Sequence, residues 1–98
     1  MKRTIYKYMI GWEWGGTTIN LPKHADVLSW RIDPKDDNPY IWVRLDPTET
    51  LTDMRTFKVF ATGEPSVPEL GAEFIGTCFC ENGGVWHLFE MKYGEQIQ

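Results

Sequence analysis

Three side chains near the C-terminus are of types that could hold a metal or act as a nucleophile: Cys78, Cys80 and His87. If Asn82-Gly83 forms the centre of a two-residue hairpin turn, Cys78 lies opposite His87 and Cys80 opposite Val85, and the trio shares one sheet face. Two thiolates and an imidazole suit zinc, but a closed tetrahedral site needs a fourth ligand. The other histidine, His24, stands in a distant loop. A Cys78–His87 nucleophilic pair would need an exposed thiolate, an oxyanion hole and an orienting group, and a flat sheet face has no helix N-terminus to lower the thiol pKa. The expectation is therefore buried thiols and a hydrogen-bonded histidine beneath Phe89 and Met91, with no metal, no cofactor and no catalysis. A three-residue turn would break the alignment.

Carboxylates cluster twice, at Asp33, Asp36 and Asp37 and again at Asp46, Glu49 and Asp53. The first group lacks the glycine and distal glutamate of a calcium loop, and both fall where turns favour aspartate. They are expected to be solvated turn residues, with Asp36, Asp37, Asp46 and Glu49 open to a partner. The paired glycines Gly15-Gly16 and Gly83-Gly84 read as hairpin turns and not as a phosphate cradle, because no helix follows them.

Five tryptophans exceed what the centre of so small a core can use. Most are expected inside. Tyr6, Tyr8, Trp12 and Trp14 are the candidates for an exposed aromatic anchor patch of the kind that dominates interfaces. The same rings could instead line a pocket and stack on a planar base.

The elements that would position these residues are strands. Turn signals recur every eight to twelve residues between runs rich in aromatic and β-branched side chains, the rhythm of an antiparallel protein. The predicted strands are Thr4 to Trp14, Thr17 to Leu21, Asp26 to Asp33, Tyr40 to Leu45, Met54 to Thr62, Glu73 to Cys80 and Val85 to Tyr93. The first alternates so that Tyr6, Tyr8, Ile10, Trp12 and Trp14 share a face, then turns tightly at Gly15-Gly16. In the third, Leu28, Trp30 and Ile32 oppose Val27, Ser29 and Arg31. Only Thr48 to Met54 and Val67 to Leu70 have room for a short helical turn. The fold class is all-β, a small antiparallel sandwich or partly open barrel of about seven strands. It forms a single domain over residues 1–98, with 94–98 as a flexible tail.

Composition narrows the function classes. Hydrophobic residues at 42% and charged residues at 24% are those of an ordinary globular protein. The formal charge of −4 supplies no basic stripe for a phosphate backbone, so direct nucleic-acid binding is not expected. An acidic protein suits a partner with a basic surface. No segment approaches the roughly 20 apolar residues of a membrane span, and the N-terminus has no apolar signal-peptide core. Two cysteines make no disulfide framework, which fits a reducing cytoplasm.

Several stretches carry a family resemblance. They are Thr4-Ile5-Tyr6-Lys7-Tyr8, Ile19-Asn20-Leu21-Pro22-Lys23-His24-Ala25-Asp26-Val27-Leu28 and Arg55-Thr56-Phe57-Lys58-Val59-Phe60-Ala61-Thr62-Gly63, with Phe74-Ile75-Gly76-Thr77 and Val85-Trp86-His87-Leu88-Phe89-Glu90. In this order they resemble a family of small phage and prophage proteins of unknown function, over nearly the whole chain. The sequence departs from that pattern at Gly11-Trp12-Glu13-Trp14 and Cys78-Phe79-Cys80. The resemblance carries no site residues. It implies a phage-encoded, non-enzymatic protein in the host cytoplasm that inhibits a host antiviral defence protein, in the manner of an anti-CRISPR, by occlusion. Alternatives are a protein that sequesters a nucleotide signal between protomers, by tryptophan stacking with Arg31, Arg44 or Arg55 on phosphates, or a virion accessory protein. A homodimer is compatible with each.

Overall fold

The computed structural model describes residues 2–92. Seven strands form two antiparallel sheets with no helix among the described residues: β1 (Thr4–Met9), β2 (Thr17–Pro22), β3 (Asp26–Asp33), β4 (Asn38–Leu45), β5 (Thr52–Ala61), β6 (Ala72–Phe79) and β7 (Val85–Met91). The three-stranded sheet has the order β1-β4-β3 and the four-stranded sheet β2-β5-β7-β6. The architecture is a small sandwich without barrel closure. The two segments with room for a helical turn form none, and the tail at 94–98 lies outside the described residues.

The core follows from period-two alternation. On β4, Ile41, Val43 and Leu45 point inward and are fully buried, while Tyr40, Trp42 and Arg44 point out. Phe57 on β5, Leu88 on β7, Leu21 on β2 and Trp30 and Ile32 on β3 meet them from the other strands. On β3 a bulge between Val27 and Ser29 changes the predicted parity. Val27 joins Trp30 and Ile32 on the inner side and Leu28 turns to solvent, because the extra residue resets which side chains face in.

Several boundaries differ from the sequence reading, β5 among them at Thr52–Ala61, and two of the differences have clear backbone reasons. The first strand ends at Met9 and not at Trp14, and β1 and β2 lie in different sheets instead of forming a hairpin. Ile10 still donates to the Pro39 carbonyl at 2.9 Å, but Gly11 donates to Thr17 Oγ1 at 2.8 Å, which turns the chain across to the other sheet. The second difference is β4, which begins at Asn38 and so includes Pro39. Proline lacks only a donor, and the Pro39 carbonyl remains free to accept from Ile10.

The outer face of the four-stranded sheet is partly covered. Phe60 points outward yet is only 2% exposed. The segment after β5 folds back over it, Glu64 N–H donating to the Ala61 carbonyl at 3.1 Å and Ala61 N–H to the Glu64 carboxylate at 2.9 Å. Phe89 packs edge-on against the Phe60 ring.

Candidate functional site

The β6–β7 hairpin decides the fate of the cysteine–histidine trio. Cys80 N–H donates to the Gly84 carbonyl at 2.8 Å and Gly83 N–H to the Cys80 carbonyl at 3.0 Å, so the loop holds three residues, Glu81 to Gly83. Gly83 sits at φ 91°, the left-handed position such a loop requires. Cys78 therefore pairs with Trp86 and Thr77 with His87. Cys78 and Cys80 face the core, and His87 faces outward on the opposite side of the sheet. The expected common face does not exist, because one added loop residue moves the register by one and inverts the parity. His87 lies between Thr62 Oγ1 at 2.7 Å and Thr77 Oγ1 at 2.9 Å. Burial, then the neighbouring Cys78, push the Cys80 thiol up from its ordinary pKa, which keeps it protonated.

The aromatic candidates part in the same way. Tyr6 and Tyr8 lie on the inward side of β1, opposite Val43 and Ile41, and burial followed by its neighbour Tyr6 raises the pKa of Tyr8. Trp14 projects from the connection, 81% exposed, with Lys58 Nζ 4.7 Å from its ring centroid. Trp12 folds back against the end of the sandwich. Its indole N–H donates to the Asp37 carbonyl at 3.0 Å, and its ring meets Trp86 edge-on with centroids 4.9 Å apart. The four rings thus form no continuous patch. The chain leaves the sheet at Ile10, and Trp12 and Trp14 lose the alternation that Tyr6 and Tyr8 keep.

The acidic candidates divide between the two ends of the molecule. β1 runs from Thr4 beside Leu45 to Met9 beside Tyr40, so the loop carrying Asp46 and Glu49 lies where β1 starts and the turn carrying Asp36 and Asp37 where it ends. Asp46 accepts from Thr48 N–H at 2.9 Å and its hydroxyl at 2.7 Å, and Glu49 accepts from Leu51 N–H at 3.0 Å. Both carboxylates are occupied within their own loop. At the other end, Asp36 accepts from Asn38 N–H and the Tyr40 hydroxyl, bonds that hold its carboxyl below the usual carboxylate range.

What converges is the end of the sandwich where β1 finishes. Two adjoining hollows of about 270 and 260 Å³ share Ile32, Asp37, Cys80 and Asn82. Trp12 and Trp86 wall the first, and Pro34, Phe79 and Glu81 border the second. Asp37, at φ 58°, and Glu81 carry carboxylates with no hydrogen-bond or ion-pair partner among the described residues. Aromatic walls beside unpaired carboxylates form a cleft suited to a cationic group, through attraction to ring faces and to the acids together. Trp86 and Glu81 were not singled out by sequence reasoning. Their role depends on the hairpin register, which no local signal specifies.

A family model described as a domain of unknown function (DUF7352) matches residues 1–98. The chain belongs to that family. No curated protein and no solved structure matches it.

Proposed function

We propose that this chain is a small phage-encoded binding protein that inhibits a host antiviral defence protein, in the manner of an anti-CRISPR, by occluding a basic surface on it. The observation that carries the reading is the cleft at the end of the sandwich, where Trp12 and Trp86 meet beside the unpaired carboxylates of Asp37 and Glu81. Buried aromatic anchors ringed by polar groups dominate the energetics of protein interfaces, and acidic residues at the rim favour approach of a positively charged partner. Glu13, Asp33 and Asp36 lie in the same loops and extend the negative field beyond the cleft. The resemblance to phage proteins supports the biological setting.

The test is affinity capture from infected cells, scored together with phage growth on defended hosts. A stoichiometric host partner lost with Trp12→Ala or Asp37→Lys, accompanied by loss of protection, is the expected result. A clean monomer without a partner and without effect on phage growth would overturn the reading.

A further inference from the structure

The net charge argues against a phosphate partner, yet the sheet order gathers cations that are far apart in sequence. On the outer face of the β1-β4-β3 sheet, three rungs lie side by side: Ile5, Arg44 and Asp26; Lys7, Trp42 and Ser29; Met9, Tyr40 and Arg31. Trp42 and Tyr40 occupy alternate outward positions on the central strand and are partly exposed. Two residues along a strand separate them by roughly 6.6 Å, and Lys7 Nζ covers one face of the Tyr40 ring, so a flat group would stack on Trp42 with Tyr40 as its neighbour. Lys7 flanks them on β1, Arg31 on β3 and Arg44 at one end.

The charges on this face do not cancel. Arg31 is exposed and has no acidic partner among the described residues. Lys7 Nζ lies 4.6 Å from the Tyr40 ring centroid and meets no carboxylate. Arg44 and Arg3 both reach the carboxylate of Asp26, each at 3.2 Å, and Asp46 is a second acidic neighbour of Arg3, so the uncompensated cations of this face are Lys7 and Arg31. The opposing acids, Asp33 and Asp36, lie beyond the Tyr40–Arg31 rung; one caps Lys35 N–H and the other holds the Tyr40 hydroxyl. The third arginine named in the nucleotide reading, Arg55, is removed from the surface by its contacts with Glu90.

We infer that this face binds single-stranded nucleic acid, with a base stacking on Trp42 beside Tyr40 and phosphates meeting Lys7 and Arg31. An aromatic row bordered by cations is the general device for holding a single strand without reading its sequence. Cations on both sides of the aromatic pair call for more than one nucleotide, and the face is a sheet surface that a duplex cannot stack upon. This site goes beyond the proposed occlusion function and does not rest on the Trp12–Trp86 cleft.

The experiment is fluorescence anisotropy of labelled oligothymidylate and oligouridylate, each roughly ten nucleotides long, titrated with the whole chain. Binding is expected at low salt and should weaken as salt rises. Trp42→Ala and Arg31→Glu should each lower affinity on the order of tenfold, Trp42→Phe should restore much of it, and Trp12→Ala should leave it unchanged. Arg31 has no bonded partner, so its variant tests the site without risk to folding. Absence of binding at low salt, or full binding by both Trp42→Ala and Arg31→Glu, overturns the inference. Equal affinity for a mononucleotide, a duplex or an acidic peptide of matched charge overturns it as well.

Discussion

Arg55 donates to both carboxylate oxygens of Glu90, Nε to Oε2 at 2.6 Å and Nη2 to Oε1 at 2.8 Å, with Glu90 only 4% exposed. The third guanidinium nitrogen, Nη1, donates to the Ala25 carbonyl at 2.6 Å. One arginine on β5 thereby ties β7 to the connection between β2 and β3, and so links the two sheets at the end remote from the Trp12 cleft. Burial by itself would raise the Glu90 pKa. The Arg55 hydrogen bonds and charge outweigh it, and Lys92 adds to them, so the carboxyl lies below its ordinary value.

Breaking this pair from either side should be severe. Glu90→Gln leaves a half-buried guanidinium without its counter-charge, and the expected loss is about 3–5 kcal/mol of unfolding free energy. Replacing both with apolar residues of similar volume should recover most of it, since the desolvation of two charges disappears together. Urea unfolding of the two single variants and the double variant measures this coupling. An additive double variant would contradict it.

The same pair sets a direction for pH dependence. A carboxyl whose folded pKa is depressed binds its proton more readily in the unfolded chain. Its contribution is fully present above the unfolded value and is lost as pH falls through the folded one. Stability should therefore decline as pH drops below the ordinary glutamate range, and the decline should be shallower in Glu90→Gln. Identical pH profiles for the two proteins would rule Glu90 out as the group responsible.

Gly16 is held by both its backbone conformation and its neighbours in the connection between the sheets. It sits at φ 89°, and a Cβ there would lie 2.9 Å from the Phe57 carbonyl oxygen. Gly16→Ala should destabilise the fold by about 1–3 kcal/mol, and thermal unfolding should show it. A variant as stable as the parent would mean that this connection adopts another path.

The Trp12–Trp86 contact predicts an optical signature. Two indoles with centroids 4.9 Å apart and planes inclined at 64° couple their transitions. The far-ultraviolet circular dichroism should carry an exciton couplet, abolished equally by Trp12→Phe and Trp86→Phe. If Trp14→Phe removes it instead, the wrong ring has been placed in the cleft.

Tyr40 gives an independent handle on the outer face. Its hydrogen bond to Asp36, followed by burial and that carboxylate's charge, raises its pKa above the ordinary tyrosine value. Spectrophotometric titration of the parent minus Tyr40→Phe should show late ionisation, and Asp36→Asn should move it back. A Tyr40 ionisation left unmoved by Asp36→Asn would show that the bond does not persist in solution.

Much of this molecule was legible without coordinates because period-two alternation reports directly which side chains must leave water. On β4, Ile41, Val43 and Leu45 alternate with Tyr40, Trp42 and Arg44 in the sequence, and it is the first set that is buried. Seven strands and an all-β class followed from the spacing of turn residues, and Asp46 and Glu49 behave as turn carboxylates. Parity fails wherever one residue is added. The bulge beside Leu28 and the third loop residue before Gly84 each inverted a face, which brought Val27 inward and parted Cys78 from His87. Neither insertion carries a strong local signal.

What only the tertiary structure decided is which strands are neighbours. β1 pairs with β4 and β2 with β5, through contacts between residues far apart along the chain. Sequence alone determines the alternation of sides along an uninterrupted strand such as β4, because that depends on local spacing. The pairing depends on how two sheets jointly exclude water, a property of the assembled core. For that reason Lys7, Arg31 and Arg44 form one face around Trp42, Trp12 meets Trp86, and Arg55 lies inside against Glu90.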